Sequence, residues 1–489
     1  MIQSVRPSIK LLSKEFIEKI IDEAFVILER EGVFVENKEA LELLREAGMR
    51  VDQSSQRVHI TSQLVEDCLS STPSSLKMFD RECIKDYTVG ENCVHFNPGS
   101  AAITIFDHKT SEERKAVTID LVKFYCLTDC LEHIHFQSTG LVSSDVPEMV
   151  SDSYRLYLGL QYSSKPVVTG TFRVEGFKPM FDMLAAVRGS RKKLAEKPLA
   201  IFDACPSPPL KWSNLTTQSL IDCARAGIPS ELVSMGMTGA TSPITIEGTL
   251  VQHVAENLSG IVICQLAEKG TPVIFGGSPS SFDMRKGTTP MGAIETMMID
   301  SAYTQIGKRL NLPTHAYMGL SDSKIIDSQA GFETGIGTIL AALAGVNIIS
   351  GPGMMNFESC QSLEKLAIDN EICGMAYRLI EGISQREEPL AQNLFEGFTS
   401  ETHFLSMAHT RKWYRKEHTF PKLIDRDTYD YWVSLGKKSI SDRASEEIDE
   451  LLQKNPPTIL PDDVTKELQK IMLSDAKKYG ISSLPELKQ

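Results

Sequence analysis

The N-terminal part of the chain carries apolar residues at helical spacing. The apolar face of the first stretch consists of Phe16, Ile20, Ile21, Ala24, Phe25 and Leu28. Ser13 precedes this stretch as a candidate N-cap, and Gly32 follows it as a stop signal. A second helix is predicted from Asn37 to Gly48. We therefore expect residues 1–75 to form a helical extension.

From residue 76 the pattern changes to short apolar runs, each followed by a helical stretch. The eight runs are Val94–Phe96, Ile134–Phe136, Pro166–Thr169, Leu199–Phe202, Glu231–Met235, Pro272–Phe275, Thr314–Tyr317 and Val346–Ile349. They begin about 32 to 42 residues apart, the length of one strand-plus-helix unit, so residues 76–383 predict an α/β fold of the (β/α)8 TIM-barrel type. An open doubly wound sheet is the main alternative, but it would usually carry a nucleotide-binding fingerprint at its first turn.

Beyond the eighth run the chain is helical and increasingly polar. Ser362 to Ile383 predicts one helix, and residues 384–489 indicate Lys- and Glu-rich helices broken at Pro421 and Pro461. Polar helices of this kind serve packing or assembly. We therefore expect a C-terminal helical extension and a homo-oligomer.

The charge balance excludes some classes of partner. The 489 residues include 51 Lys plus Arg and 64 Asp plus Glu, a net charge of -13 that repels nucleic acid and anionic lipid. No apolar run approaches the ~20 residues of a membrane-spanning helix, and the opening residues lack a signal-peptide core. We expect a cytoplasmic protein that binds neither nucleic acid nor membranes.

The ten cysteines are scattered and include no C-x-x-C pair, which predicts reduced residues. The nearest approach to a metal array is Cys126, Cys130, His133 and His135. Their spacing matches no standard zinc site, so we expect buried structural residues and no metal.

In a barrel of this type the active site lies at the carboxyl ends of the strands. The residues after the runs include Gly236, Gly239, Gly276 and Gly277, which would let a large planar cofactor approach the backbone closely. The alternative is that tight strand-to-helix turns require glycine. The chain contains no Walker A loop, H-E-x-x-H or G-x-S-x-G motif.

Several segments spread along the chain carry a family resemblance when they are taken together. They are Asp203–Pro209, Met237–Thr245, Gly319–Glu333, Leu340–Asn347, Leu363–Glu371, His409–Trp413 and Pro421–Asp427. These segments resemble the trimethylamine methyltransferase superfamily of corrinoid-dependent enzymes, over essentially the whole chain. The resemblance implies a barrel that moves a methyl group from a methylamine to the Co(I) centre of a separate corrinoid protein. Because the chain has no D-x-H-x-x-G cobalamin-ligand motif, we expect the cobalamin on that partner and none tightly bound here.

The founding members of the superfamily carry pyrrolysine near the exit of strand seven, whereas this chain consists of standard residues. Members without pyrrolysine resemble methyltransferases for quaternary amines. Glycine betaine is the leading candidate substrate, and proline betaine, carnitine or another betaine are the alternatives. A quaternary nitrogen already carries its charge and leaves as a neutral tertiary amine, so the reaction requires neither an acid nor a covalent adduct.

Aromatic faces and a carboxylate are expected to hold such a cation. The aromatic candidates at strand ends are Phe96, Phe172, Phe202, Phe275, Tyr317 and Phe357. The carboxylate candidates are Asp203, Asp322, Asp327, Glu333 and Glu358. We assign catalytic roles to Asp322 and Glu333, with loop orientation or helix capping as the alternative. Arg173 is the predicted clamp for a substrate carboxylate, with a surface ion pair as its alternative, and barrel-core packing is the alternative for each aromatic residue.

Two other functions remain open. A lyase or aldolase would need a Schiff-base lysine on a strand, and none of the eight runs contains one. A non-catalytic betaine-binding protein would show affinity for the amine without methyl transfer to Co(I).

Overall fold

The computed structural model describes residues 4–52, 54–99, 101–456 and 459–485. Its centre is an eight-stranded parallel sheet. In chain order the strands are β1 His95–Asn97, β2 Gln137–Ser138, β3 Val167–Thr169, β4 Ala200–Ala204, β5 Ser230–Leu232, β6 Val273–Gly277, β7 Thr314–Tyr317 and β8 Ile348–Ser350. Seven of the predicted runs overlap a strand, and the second run ends at Phe136, immediately before β2.

The sheet closes on itself and confirms the predicted barrel. β8 pairs in parallel with β1, with Ser350 opposite Asn97. On the other side of β1, the N–H groups of His135 and Phe136 donate to the carbonyl oxygen of Phe96, at 2.9 and 3.1 Å. All eight carboxyl ends therefore meet at one rim, where a barrel places its active site.

Helices follow the strands around the outside of the barrel, and the last of them comes after β8. They are Thr118–Cys130, Ser151–Tyr162, Phe177–Arg188, Arg191–Glu196, Asn214–Ala226, Ile246–Ala267, Ile294–Arg309, Ser328–Ala344 and Leu363–Ile380. Side-chain oxygens cap several of them: Ser213, Asp327 and Ser362 each accept from a backbone N–H in the first turn. The predicted helix at Ser362 is confirmed.

The lumen is apolar at the amino ends of the strands. Val168, Ile201, Ile274 and Ile348 form one buried cluster there, closed by Leu76, Met78 and Val89. The closing residues belong to the hairpin of strands Ser75–Phe79 and Asp86–Gly90. Because strand side chains alternate between faces, the residues after these lumen positions point outwards and those two positions further on point inwards again.

The N-terminal extension is only partly helical, which corrects the sequence prediction. Helices Lys14–Arg30 and Lys38–Glu46 are confirmed, with Ser13 and Asn37 as their caps, and a third helix spans Ser62–Ser71. The missed strands are Val33–Val35, Arg50–Asp52 and Arg57–His59, which form a sheet with Lys211–Trp212 of the loop after β4. Three-residue strands are too short to show an alternating pattern.

The remaining elements lie at the rim and in the C-terminal part. The short strands are Thr104–Asp107, Glu112–Lys115, Met237–Thr238, Ser280–Ser281, Met354–Met355 and Cys360–Gln361. The short 3-10 helices are Glu148–Val150, Val174–Gly176, Gln392–Phe395 and Phe404–Ser406. The C-terminal helices are Ala408–Glu417, Tyr429–Ser434, Ile440–Lys454 and Asp462–Lys477. Within the described ranges, no helix has the length and apolar character needed to cross a membrane.

Candidate active site

The carboxyl half of the lumen is lined by polar side chains. The inward positions are Asn97 on β1, Asp203 on β4, Glu231 on β5, His315 and Tyr317 on β7, and Ser350 on β8. Five of these side chains are buried, and Asp203 is partly accessible. Such a layer of ionisable groups above an apolar plug is costly for folding, which is typical of a functional site.

Asp203 and Glu231 form a carboxyl pair on adjacent strands. Burial raises the pKa of Asp203 to about 7, against the opposing effects of Glu231 and Arg155. Burial and the charge of Asp203 raise the pKa of Glu231 well above its ordinary value. Because the pKa of Glu231 lies well above its ordinary value, Asp203 is the member of the pair that ionises, at a pH near 7.

His315 connects this pair to the opposite wall. Its Nε2 lies 3.3 Å from Oε1 of Glu231 and 2.8 Å from Oγ of Ser350, whose hydroxyl donates to Oδ1 of Asn97 at 2.5 Å. Because Ser350 gives its proton to Asn97, the ring N–H at Nε2 donates to Ser350. Burial lowers the pKa of His315 to about 3, so the ring is neutral.

Glu358 brings a third carboxyl group to the mouth of the barrel. It lies in the turn between Met354–Met355 and Cys360–Gln361, where Asn356, Phe357 and Glu358 all have left-handed backbone, with φ of 49°, 55° and 69°. Burial and the charges of Asp203 and Asp322 raise its pKa to about 8. At neutral pH this carboxyl group is therefore mostly protonated.

The raised pKa of Glu358 predicts a pH-dependent stability. In the unfolded chain the carboxyl group ionises near its ordinary pKa of 4.5, whereas in the folded chain it keeps its proton to about pH 8. The folded state binds more protons across this window, so its contribution to stability is lost as the pH rises from about 5 to about 8. At about pH 9, Glu358→Gln is expected to have a free energy of unfolding ~2–4 kcal/mol higher than the wild type. At about pH 4 the two proteins should differ little.

Glu396→Gln, at an exposed position, is the matched control and is expected to leave the pH profile unchanged. Denaturant titrations at a series of pH values measure both variants. A Glu358→Gln profile parallel to the wild type would contradict a protonated Glu358 in the folded protein.

A cavity of about 240 Å³ opens at the carboxyl ends of β2, β3 and β4. Its walls include Thr139, Arg155, Gly170, Phe172, Asp203 and Cys205. It is smaller than the ~300–1,000 Å³ of a drug-sized site, so it suits a small substrate. Asp203 therefore belongs both to the wall of this cavity and to the carboxyl pair in the lumen.

Three of the six predicted cage aromatics lie outside the lumen. Phe202 packs edge-to-face on Phe177 with ring centres 5.5 Å apart, among helix residues. Phe96 contacts the ring of Tyr377 in the same way, at 5.3 Å, and Phe275 contacts His253 at 5.5 Å. Their prediction as substrate-binding residues is wrong, because each lies one position from an inward residue and therefore faces the helices.

The other three aromatic candidates lie at or above the mouth. Tyr317 is inward and meets the His315 ring edge-to-face, with centres 4.9 Å apart. Phe172 lies beside the cavity with one face on Arg155. The Phe357 ring has the ammonium of Lys324 3.8 Å from its centre. Among the three, Tyr317 is the one on a barrel strand.

Asp322 and Glu333 hold loop backbone, which departs from the predicted catalytic role and follows its alternative. The two oxygens of Asp322 accept from the N–H groups of Met291 and Gly292, at 3.0 and 2.9 Å. Oε2 of Glu333 accepts from the Ser321 hydroxyl at 2.6 Å and from the N–H of Asp322 at 2.8 Å. These bonds connect the loops after β6 and β7.

Arg173 is bound within the protein and cannot serve as the predicted carboxylate clamp. Its guanidinium pairs with Asp152 at 3.3 Å and with Asp475 of the last helix, and it donates to the Tyr479 hydroxyl at 2.7 Å. The alternative of an ion pair is the correct one, although the pair is buried rather than at the surface.

The predicted cofactor-binding glycines divide into two groups. A Cβ at Gly276 would lie 2.7 Å from the carbonyl oxygen of His315, and one at Gly277 would lie 2.4 Å from the His253 ring. Gly236 is also buried, and a Cβ there would lie 3.1 Å from the Cβ of Ser242. Protein atoms lie close beside these three glycines, which favours a packing role over the predicted contact with a cofactor. Gly239 is exposed at the rim.

The histidines of the predicted structural cluster have partners within the protein. Nδ1 of His135 lies 3.0 Å from Nδ1 of His95 and 3.1 Å from the Tyr377 hydroxyl. The backbone N–H of His133 donates to the side-chain oxygen of Asn370. In the part of the chain that the structure describes, no three His, Cys, Asp or Glu side chains are arranged to hold a metal ion.

Sequence reasoning missed Glu231, His315 and Arg155. Glu231 and His315 are polar residues inside apolar runs, and that signal could have identified both as lumen residues. Arg155 lies on the helix after β2, away from any strand end, so the search for residues that follow strands could not find it.

Comparisons with known proteins agree with this barrel. A family model described as trimethylamine methyltransferase (MTTB) matches residues 1–479. The trimethylamine methyltransferase MttB of Desulfitobacterium hafniense is 34% identical over 456 residues, which cover 93% of this chain and 92% of that protein. The glycine betaine methyltransferase of strain Y51 of the same species is 29% identical over 476 residues, with 97% and 98% covered.

Among solved structures, the monomethylamine methyltransferase MtmB of Methanosarcina barkeri superposes with a TM-score of 0.55 and 11% identity, and it covers 91% of this chain and 89% of its own. This likeness supports the fold. With the family match over nearly the whole chain, it leads to one conclusion: the chain belongs to the trimethylamine methyltransferase family.

Proposed function

We propose that the protein transfers a methyl group from a quaternary amine, with glycine betaine as the leading substrate, to the Co(I) centre of a separate corrinoid protein. The observation that carries this proposal is the Asp203–Glu231 carboxyl pair in the carboxyl half of the lumen, which becomes negatively charged when Asp203 ionises near neutral pH. A permanent cation is the complement of such a charge. Proline betaine, carnitine and other betaines are the alternative substrates.

The other lumen groups do not repel a cation. Tyr317 offers a ring next to His315, and His315 is neutral, so neither repels a trimethylammonium group. The reaction breaks one N–CH3 bond and leaves its electrons on nitrogen, which departs as a neutral tertiary amine. The task of the protein is therefore to position and desolvate the cation, which agrees with a chain of standard residues.

The corrinoid on the partner protein supplies the nucleophile that accepts the methyl group. An apolar part of the rim could contact that partner. Ile244 and Met284 are 63% and 62% exposed and lie next to Gly239. The ends of their side chains are 2.8 and 2.5 Å from the position that a Cβ of Gly239 would take. Exposed apolar residues around an exposed glycine suit the approach of a large planar group.

Methylation of a purified Co(I) corrinoid protein, followed by its visible spectrum, tests the proposal with a panel of methylamines. We expect transfer from a betaine and little or none from trimethylamine or dimethylglycine. A carboxylate such as that of Asp203 can take the proton of their protonated forms, and the neutral amine that remains is a poor methyl donor because it would have to expel an amide anion. The reaction should therefore stop after one methyl group. Faster transfer from trimethylamine than from every betaine would refute the proposal, and tight betaine binding without transfer would favour a binding protein.

A further inference from the structure

Arg155 is a fully buried arginine that the fold leaves largely unsatisfied. Its side chain is 1% exposed and extends from the helix Ser151–Tyr162 to the cavity beside Asp203. One terminal nitrogen donates to the carbonyl oxygen of Thr139 at 2.7 Å. The ring of Phe172 covers one face of the guanidinium, 4.3 Å from its central carbon.

The other donors of this guanidinium lack partners among the described residues. Its Nε is buried without a hydrogen bond, and no described carboxylate forms an ion pair with it. The contrast with two neighbouring arginines is clear. Arg173 pairs with two carboxylates, and Arg188, whose Nε also lacks a hydrogen bond, still donates from its terminal nitrogens to three backbone carbonyl oxygens and a cysteine sulfur. A buried guanidinium with open donors and no carboxylate within ion-pair distance is costly, and this points to a ligand that completes it.

The cavity also contains charge of the opposite sign. Asp203 lines it and is the member of the Asp203–Glu231 pair that ionises near neutral pH, while Arg155 lines the same cavity as a cation. A zwitterion with a cationic and an anionic end matches this arrangement, whereas a simple cation leaves Arg155 unpaired. A guanidinium presents parallel N–H groups that fit the two oxygens of a carboxylate.

We infer that Arg155 binds the carboxylate of a zwitterionic substrate, with the quaternary ammonium directed towards Asp203. This inference rests on the proposed function and narrows the substrate class to betaines. It transfers to Arg155 the role that the sequence assigned to Arg173. Phe172 holds the guanidinium plane from one side and leaves its edge for the substrate.

Arg155→Lys tests this assignment, because lysine can keep the bond to Thr139 but cannot form two parallel hydrogen bonds with a carboxylate. Methyl transfer to the corrinoid protein is measured with glycine betaine and with choline, which lacks the carboxylate. We expect KM for glycine betaine to rise about 10- to 100-fold, with KM for choline changed less than about threefold. Arg191→Lys is the matched control, since Arg191 also covers a phenylalanine ring, that of Phe181 at 5.2 Å, but at an exposed site.

A measurement on the wild-type protein covers the case in which the variant fails to fold. Titration calorimetry compares glycine betaine with its methyl ester, which keeps the cation and removes the anion. We expect the ester to bind at least about 10-fold more weakly. Equal affinity for acid and ester, or equal loss of betaine and choline turnover in Arg155→Lys, would overturn the assignment while leaving quaternary-amine methyl transfer intact. Transfer from no quaternary amine at all would instead refute the proposed function, and the calorimetric comparison would still test Arg155.

Discussion

Asp203→Asn combined with Glu231→Gln is expected to lower kcat/KM for a quaternary amine about 100-fold at neutral pH. Unit charges about 5 Å apart attract by about 3 kcal/mol at an effective dielectric constant of about 20, and this attraction disappears with the charge of the pair. The amides can still bond to each other, so the shape of the lumen is kept. Initial rates of corrinoid methylation over a range of substrate concentrations measure the loss.

The same double variant is expected to be more stable than the wild type, by about 1–3 kcal/mol, because it no longer buries a carboxylate. Denaturant titration at neutral pH measures this gain. The control is Asp182→Asn with Glu196→Gln, which removes two carboxylates from surface ion pairs and should change neither rate nor stability by much. Lower stability together with unchanged kcat/KM would contradict a cation-binding role for Asp203 and Glu231.

The order of strands and helices could be predicted from the sequence because each unit leaves a local signal. A barrel strand is buried on both faces and therefore forms a short continuous apolar run. The spacing of eight such runs was sufficient to predict closure, and β8 does pair with β1. The small sheet around Val33–Val35 left no such signal, since one of its strands comes from the distant residues Lys211–Trp212.

The candidate site was harder to predict for the same physical reason. A run that is apolar on both faces does not reveal which positions face the lumen, so Phe202 and Asp203 looked equally suitable. Only the structure shows that Phe202 packs on the helix residue Phe177 while Asp203 faces inwards beside Glu231. A polar residue within an apolar run is the better indicator, because burial of its side chain requires a reason.

The two arginines show a second limit of sequence reasoning. Arg173 follows a strand and has the expected position of a clamp, but its partner Asp475 lies about 300 residues away in the chain. Arg155 reaches the cavity from a helix. Long-range pairing decides which guanidinium is free to bind a ligand, and neither spacing nor composition records it.

Arg173→Ala is accordingly expected to reduce stability rather than substrate selectivity. The substitution leaves Asp152 and Asp475 buried without their arginine partner, and breaking such a pair costs about 3–5 kcal/mol. The loss should appear as a lower denaturation midpoint. It should also detach the last helix, Asp462–Lys477, from the loop after β3, which faster proteolysis of the C-terminal part would report.

Asp475→Asn separates this explanation from a general effect of losing a large side chain. If the buried charge is the cause, Arg173→Ala should cost less in the Asp475→Asn background than in the wild type, because one of the two buried carboxylates is already absent. Substrate kinetics decide between the two arginines: KM for glycine betaine and KM for choline should change by the same factor in Arg173→Ala, whereas they diverge in Arg155→Lys. An Arg173→Ala protein of normal stability that loses only carboxylate-bearing substrates would return the clamp to Arg173.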